Sequence, residues 1–108
     1  MSWRVVYSDQ AKQDLRSIYE YIAFSLLEKG PASQLYKEIV TEINSLDMMP
    51  KRYPLYHEER WASLGIHYLS VKDYLIFYHV DDEKERVSIV RIGYGGQDIG
   101  RFLSETSV

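Results

Sequence analysis

Seven side chains between residues 51 and 94 could take part in RNA cleavage. Cleavage through a 2′-hydroxyl needs a base for that hydroxyl, cations for the phosphate and an acid for the leaving oxygen. Most of the candidates lie in a predicted loop or at the ends of predicted strands, so they could converge on one rim; alternatively, they are ordinary solvated charges. The seven residues are Lys51, Arg52, Arg60, His67, Lys72, Arg91 and Tyr94, and the catalytic candidates of a ribonuclease would be Arg52, Arg60, Arg91 and Tyr94.

Arg91 has the most unusual position of these residues. It interrupts a predicted apolar strand, in which it alternates with Val87 and Ile89 on one face. We expect its charge to meet a carboxylate, solvent or a partner.

Other site chemistries have little support in the sequence. The three histidines, His57, His67 and His79, fall in a loop and on two strands without the spacing of metal ligands. The segment Gly93-Tyr94-Gly95-Gly96 is too short for a phosphate-binding loop and follows no βαβ unit. We expect neither a metal nor a cofactor.

Length and composition predict one globular domain over residues 1–108. The chain is 45% hydrophobic and has no cysteine, which excludes disulfides and thiolate metal sites. The opening MSWRVVYSDQ lacks the apolar run of a signal peptide, and no window approaches the roughly 18 apolar residues of a membrane span. We therefore expect a cytoplasmic protein without a membrane partner.

The formal net charge of −3 argues against a dedicated nucleic-acid binder, so direct nucleic-acid binding by the chain alone is not expected. Ten tyrosines are present. Tyrosine suits surfaces that are partly exposed to solvent or that contact a partner. Ordinary core and rim positions would also account for the ten tyrosines.

The first third of the chain predicts a strand and two helices. Residues 3–7 are β-branched and aromatic, and Ser8 or Asp9 can cap the helix that follows. That helix has an apolar stripe and ends near Lys29-Gly30. Pro31 then starts a second helix, from about Ala32 to Leu46, and the short link implies an antiparallel hairpin. The two stripes are Ala11, Leu15, Ile18 and Ile22, and Leu35, Ile39, Ile43 and Leu46.

The rest of the chain predicts a loop, three strands and a short helix. Residues 50–64 read as a loop. The strands Ile66–Val71, Tyr74–Val80 and Arg86–Gly93 have short connections, which favour an antiparallel meander. A last helix spans about Gln97–Leu103. The fold class is α+β, of order β-α-α-β-β-β, with the helical hairpin packed on an antiparallel sheet.

The strand Tyr74–Val80 is apolar on both faces, with Leu75 and Phe77 on one and Tyr74, Ile76, Tyr78 and Val80 on the other. The hairpin can cover one face. The C-terminal tail covers part of the second face, or a second chain completes the cover. On the latter reading the partner-binding candidates are Tyr74, Ile76, Tyr78, Tyr94 and Phe102.

The stretches SDQAKQDLRSIYEYIA and GIHYLSVKDYLIFYHVDDEKERVSIVRIGYGGQD, with a second helix ending at MMP between them, resemble the RelE/ParE toxins of bacterial type II toxin–antitoxin systems. The resemblance covers nearly the whole chain. It implies a growth-inhibiting toxin, with a role in plasmid stabilisation, that is silenced by an antitoxin encoded by the adjacent gene.

The resemblance also bears on the target. Many relatives carry an arginine pair before the aspartate that aligns with Asp98, where this chain has Gly96-Gln97, and Gly-Ile-Arg-Arg where this chain has Gly65-Ile66-His67-Tyr68. Missing cations and a long hairpin favour the ParE-like branch, whose target is DNA gyrase, and hence an inhibitor rather than an enzyme. The alternatives are a RelE-like ribosome-dependent mRNA endonuclease and a toxin-fold protein that has lost toxicity and mainly binds antitoxin. Because no cation stands at this position, Gly95 and Gly96 would have a backbone role and form a turn with positive φ.

Overall fold

A computed structural model describes residues 2–106 and shows four strands and four α-helices. The elements are β1 (Arg4–Tyr7), α1 (Asp9–Glu20), a π-helical turn (Tyr21–Ser25), α2 (Lys29–Asn44), 3-10 turns (Ser45–Asp47 and Pro50–Arg52), α3 (Glu59–Ala62), β2 (Ile66–Val71), β3 (Tyr74–Asp81), β4 (Arg86–Tyr94) and α4 (Ile99–Ser104). The predicted α+β class and element order are confirmed. No helix within residues 2–106 has the length and apolar character to cross a membrane.

The strands form one sheet in the order β1-β4-β3-β2. The meander of β2, β3 and β4 is antiparallel, as predicted. β1 adds to the edge beside β4 in parallel, with Val5 opposite Val87, so the whole sheet is mixed rather than purely antiparallel. The helical hairpin carries the chain from the β1 edge to β2 at the far edge.

The first helix begins and packs as its sequence predicts. The Ser8 hydroxyl accepts a hydrogen bond from the Ala11 amide at 3.0 Å and so caps the helix. Ala11 and Leu15 are buried, and Ile18 and Ile22 pack against the same core. The 3.6-residue period of a helix therefore locates its core face correctly.

The junction between the two helices differs from the prediction. α1 widens into the π-helical turn, and Leu27, with φ of 55°, reverses the chain before α2 starts at Lys29. Gly30 thus lies in the first turn of α2 and ends no helix, whereas Pro31 occupies that first turn as expected. The Glu28 amide donates to the Ile22 carbonyl at 3.0 Å, a backbone bond that stabilises the wide corner.

The segment 50–64 is more ordered than the predicted loop. It contains the 3-10 turn after Met49 and the short helix α3. The Tyr78 hydroxyl donates to the Pro50 carbonyl at 2.6 Å, which fixes the segment to the sheet. The C-terminal helix starts at Ile99, two residues later than predicted, because Asp98 is its N-cap and accepts from the Arg101 amide.

Both faces of the sheet are covered by this chain. The hairpin buries the face that carries Ile76 and Tyr78, each 0% exposed. The other face, with Phe77 also 0% exposed, is covered by residues of the 53–64 segment and α4, chiefly Tyr56, Trp61, Ile99 and Leu103. The apolar second face therefore needs no partner to bury it. Ile76 and Tyr78, predicted as partner-binding residues, offer no surface to one.

Candidate functional site

The candidate site lies where β1 ends and α1 lies beside the edge of β4 that β1 leaves unpaired. The pairing of β1 stops at Tyr7 opposite Ile89. The Ser8 hydroxyl then donates to the Val90 carbonyl at 2.9 Å, and the Ile92 amide donates to Asp14 Oδ2 at 3.0 Å. Side chains of α1 and its cap thus satisfy backbone groups that a longer strand would have paired.

Arg91 and Asp14 form a two-point ion pair beside this edge. Arg91 Nε donates to Asp14 Oδ2 at 2.7 Å and Nη2 donates to Oδ1 at 2.9 Å. The two side chains are only 9% and 13% exposed. The sequence left open whether Arg91 meets a carboxylate, solvent or a partner; it meets a carboxylate of its own chain.

The remaining donors of Arg91 face the C-terminal helix. Nη1 donates to the Phe102 carbonyl at 3.3 Å and to Thr106 Oγ1 at 3.4 Å. The guanidinium carbon lies 4.0 Å from the centroid of the Phe102 ring, within range of a cation–π contact. An arginine held in this way joins α1, β4 and α4, and it presents no free fork of N–H donors to a phosphate.

Gly93, near the end of β4, and Gly96, in the turn that follows, serve close packing rather than a left-handed backbone. A Cβ on Gly96 would lie 2.6 Å from Cζ of Tyr94, and one on Gly93 would lie 2.7 Å from Cε2 of Phe102. The predicted positive φ at Gly95 and Gly96 is wrong: among the glycines of residues 2–106, positive φ occurs at Gly65, with +75°. Aromatic rings occupy the space where these glycines lack side chains.

Those rings line a groove of about 630 Å³ between α1 and the ends of β3 and β4, which we call the aromatic groove. Its aromatic residues are Tyr21, Tyr74, Tyr94 and Phe102. Tyr74 and Tyr94 contact each other edge to face, with centroids 5.9 Å apart. Tyr21 is 56% exposed and Tyr94 51% exposed, so large aromatic surface faces solvent here.

Tyr74 is the tyrosine of the groove that burial affects most clearly. Burial, reinforced by the charge of Asp73, raises the pKa of Tyr74 above its usual value of 10.0. A phenol that holds its proton more tightly is a hydrogen-bond donor and a poor general base at neutral pH. Tyr74 therefore suits recognition better than proton abstraction.

The predicted catalytic residues do not assemble around one point. Arg52 donates from Nη1 to the Met48 carbonyl at 2.6 Å and from Nη2 to Ser45 Oγ at 2.7 Å, so it closes the C-terminal end of the α2 region. Arg60 stacks 4.6 Å above the ring of Trp61 on α3. Of the four candidates only Tyr94 faces the aromatic groove with exposed surface.

The other predicted basic residues also have partners within the chain. Lys51 pairs with Asp82 at 2.8 Å, and Lys72 pairs with Glu38 at 3.4 Å. His67 donates from Nδ1 to the Tyr53 carbonyl at 2.8 Å. Within residues 2–106, no group of three or more His, Cys, Asp or Glu side chains is placed to hold a metal ion.

Of the five residues predicted to contact a partner, three line the groove and two lie in the core. Tyr74, Tyr94 and Phe102 come together in the aromatic groove, whereas Ile76 and Tyr78 are core residues. Sequence reasoning missed Asp14 and Tyr21. The available signal was their helical spacing with Ile18, since positions 14, 18 and 21 lie on one face of α1 and the π-helical turn that continues it.

The family and the solved structures that match this chain indicate one and the same fold. Residues 5–99 match the family described as ParE toxin of type II toxin–antitoxin system, parDE. The search of curated proteins gives no significant match. Among solved structures, a chain of the chromosomal ParDE system of P. aeruginosa superposes with a TM-score of 0.70 at 18% identity, covering 86% of this chain and 96% of that one.

Two further structures have the same fold. A chain of the RelBE2 toxin–antitoxin complex of Mycobacterium tuberculosis gives a TM-score of 0.62 at 21% identity, covering 87% of this chain and 99% of that one. A mutant of the E. coli toxin RelE in the free state gives 0.66 at 16% identity, covering 97% and 94%.

Proposed function

Because this chain belongs to the ParE toxin family of type II toxin–antitoxin systems, we propose that it arrests growth by binding a protein, DNA gyrase, and that it is not a ribonuclease. The proposal places its action in the cytoplasm. An antitoxin encoded by the adjacent gene neutralises it.

The observation that carries this proposal is the internal use of Arg91. Phosphate chemistry needs cations that are free to meet the developing charge. Arg91 is bound to Asp14, and the segment 92–100 that follows contains no Lys or Arg. The end of β4 thus lacks the charge that RNA cleavage requires.

The aromatic groove supports binding to a protein. Tyrosine and other aromatic residues are enriched at protein interfaces, where one ring buries a large area with little loss of side-chain entropy. Tyr21 and Tyr94 expose about half of their surface at this groove. We assign the groove to contact with the target.

The test is a supercoiling assay with purified gyrase and relaxed plasmid. We expect supercoiling to fall as the protein is added, and to recover when the protein encoded by the adjacent gene is mixed with it first. Full supercoiling at large molar excess would contradict the assignment to gyrase.

A second arm of the test addresses the ribosome. Messages from cells that express the chain without antitoxin are mapped by primer extension. Cuts at the ribosomal A site would establish the endonuclease, whereas normal growth during expression would indicate a member without toxicity. Filamentous growth with intact messages is the result that we expect.

A further inference from the structure

A cavity of about 200 Å³ lies on the second face of the sheet, between the short helix α3 and the C-terminal helix α4. A dry apolar cavity of about 150 Å³ can take up benzene, so this one has room for a single aromatic ring with a short substituent. We call it the α4 cavity. Its apolar lining residues are Trp61, Leu64, Ile66, Val90 and Leu103.

His79 places a polar ring in the wall of the α4 cavity. A Cβ on Gly65 would lie only 3.3 Å from Cδ2 of His79, so the imidazole packs against the Gly65 backbone. Within residues 2–106, neither ring nitrogen of His79 has a hydrogen-bond partner or an ion pair. The imidazole therefore has a fixed position and free hydrogen-bonding groups.

Four more polar side chains continue from His79 along the same face of the sheet. In the register of β3 and β4, His79 lies opposite Ser88, and Asp81 lies opposite Arg86. Arg4 on β1 is the neighbour of Arg86 on its other side. The hydroxyl of Ser88 makes no hydrogen bond to the described residues. A row of polar groups thus leads from the cavity to the start of β4, at the opposite end of that strand from the aromatic groove.

Arg86 has no partner for its charge within the part of the chain that the structure describes. Its Nε is buried without a hydrogen bond, and its guanidinium makes no ion pair. The carboxylate of Asp81 accepts from the Lys84 amide at 3.1 Å. Arg4 adds a second positive charge beside Arg86, and like charges on neighbouring strands repel. An anion at Arg86 would satisfy the buried donor and offset this repulsion.

We infer that the α4 cavity and Arg86 together bind a small carboxylate that carries one aromatic ring. The ring fills the apolar cavity. The carboxylate accepts hydrogen bonds from His79 and Ser88 at the cavity wall and from the guanidinium of Arg86, whose planar fork matches a carboxylate. Arg86 and His79 are diagonal neighbours in the sheet, about 7–8 Å apart, a distance that the arginine side chain spans.

The size of the α4 cavity favours a small molecule over a polypeptide. A peptide segment binds by placing several side chains in a groove, whereas this cavity accepts one ring. The site is also separate from the aromatic groove, since the two share no lining residue. The inference therefore does not depend on the proposed contact with gyrase.

The experiment titrates the full chain with phenylacetate and follows the backbone amide signals by NMR. Acetate, which lacks the ring, and toluene, which lacks the carboxylate, are the matched probes. We expect saturable shifts at Leu64, Ser88 and Leu103, with a Kd of about 1 mM or lower for phenylacetate. Toluene should shift the same signals but bind at least about tenfold more weakly, and acetate should give no saturable shift.

Variants separate the two parts of the site. Arg86→Gln should weaken phenylacetate binding by about tenfold and leave toluene binding unchanged, because the charged fork is lost and the cavity is intact. Lys84→Gln, an equal change of charge at an exposed position, should change neither. Leu64→Trp should block the cavity to both probes, and the half-exposed position is expected to tolerate the larger side chain.

Three outcomes would overturn the inference. The first is the absence of a saturable shift with phenylacetate in the wild type. The second is equal affinity of the wild type and Arg86→Gln for phenylacetate, and the third is unchanged binding in Leu64→Trp. None of these results bears on gyrase inhibition, which is measured separately.

Discussion

Asp14 on α1 and Arg91 on β4 are 77 positions apart in the chain and meet through two hydrogen bonds of 2.7 and 2.9 Å. The carboxylate also accepts from the Ile92 amide, so one side chain orders both a cation and a strand edge. Asp14 lines the aromatic groove and Arg91 contacts Phe102 of its wall, so the pair supports the proposed contact surface.

Arg91→Ala should lower the free energy of unfolding by about 2–4 kcal/mol, because it leaves the Asp14 carboxylate buried without its counter-ion. Urea unfolding measures the change, with Lys84→Ala as the control at an exposed site. Asp14→Leu/Arg91→Met should recover part of the loss. A single variant as stable as the wild type would mean that the pair has no structural role.

Gly93→Ala should lower the free energy of unfolding by about 1–3 kcal/mol, since the new methyl group overlaps the Phe102 ring. That ring packs between Arg91 and the cluster around Phe77 on the second face of the sheet. Gly96→Ala should cost less than about 1 kcal/mol, because the half-exposed Tyr94 ring can move aside. Thermal unfolding of both variants provides the comparison. Equal losses at the two positions would contradict this account of the glycines.

On the proposed function, in which Tyr94 contacts gyrase, Tyr94→Ala should weaken gyrase inhibition by about tenfold, as expected for an aromatic residue central to an interface. Tyr94→Phe should retain most of the inhibition, since the ring area is preserved. A catalytic hydroxyl would give the opposite pattern, with Phe as inactive as Ala. Leu64→Ala, at a residue 50% exposed on another surface, is the matched control.

Stability should fall between pH 10 and pH 12 because of Tyr78. Burial raises the pKa of Tyr78 to about 12, against about 10 in an unfolded chain. The folded state therefore keeps a proton on Tyr78 that the unfolded state loses. The resulting stabilisation of the folded state, roughly 2–3 kcal/mol, is complete below pH 10 and is lost as the pH rises through 12.

Urea midpoints at pH 9 and pH 11 measure this decline. Tyr78→Phe should be less stable at pH 9, because the hydrogen bond to the Pro50 carbonyl is lost, yet decline less toward pH 11. Some decline remains, since burial also raises the pKa of Tyr7, Tyr56 and Tyr74. Parallel declines of variant and wild type would contradict the assignment to Tyr78.

Local patterns were sufficient to predict most of the fold. The spacing of Ala11, Leu15 and Ile18 identifies a helix face because helical period depends only on neighbours along the chain. The meander follows in the same way from apolar runs with short connections. Both elements appear where they were expected.

Long-range relationships were beyond these patterns. Nothing near Arg91 in the sequence identifies Asp14 as its partner, and the parallel pairing of Val5 with Val87 joins opposite ends of the chain. Residues 50–64 lack periodicity, so the cover that Trp61 provides for the second face was not visible either. For the candidate site, the sequence indicated Tyr74, Tyr94 and Phe102 but not their common groove.

The position of β1 has a consequence for synthesis. Its sheet partner is β4, with Arg4 opposite Arg86, so an emerging polypeptide cannot complete the sheet until β4 has been synthesised. The aromatic groove, which needs the end of β4 and α4, forms last. A nascent molecule whose β4 has not yet been synthesised therefore has neither a complete sheet nor this surface.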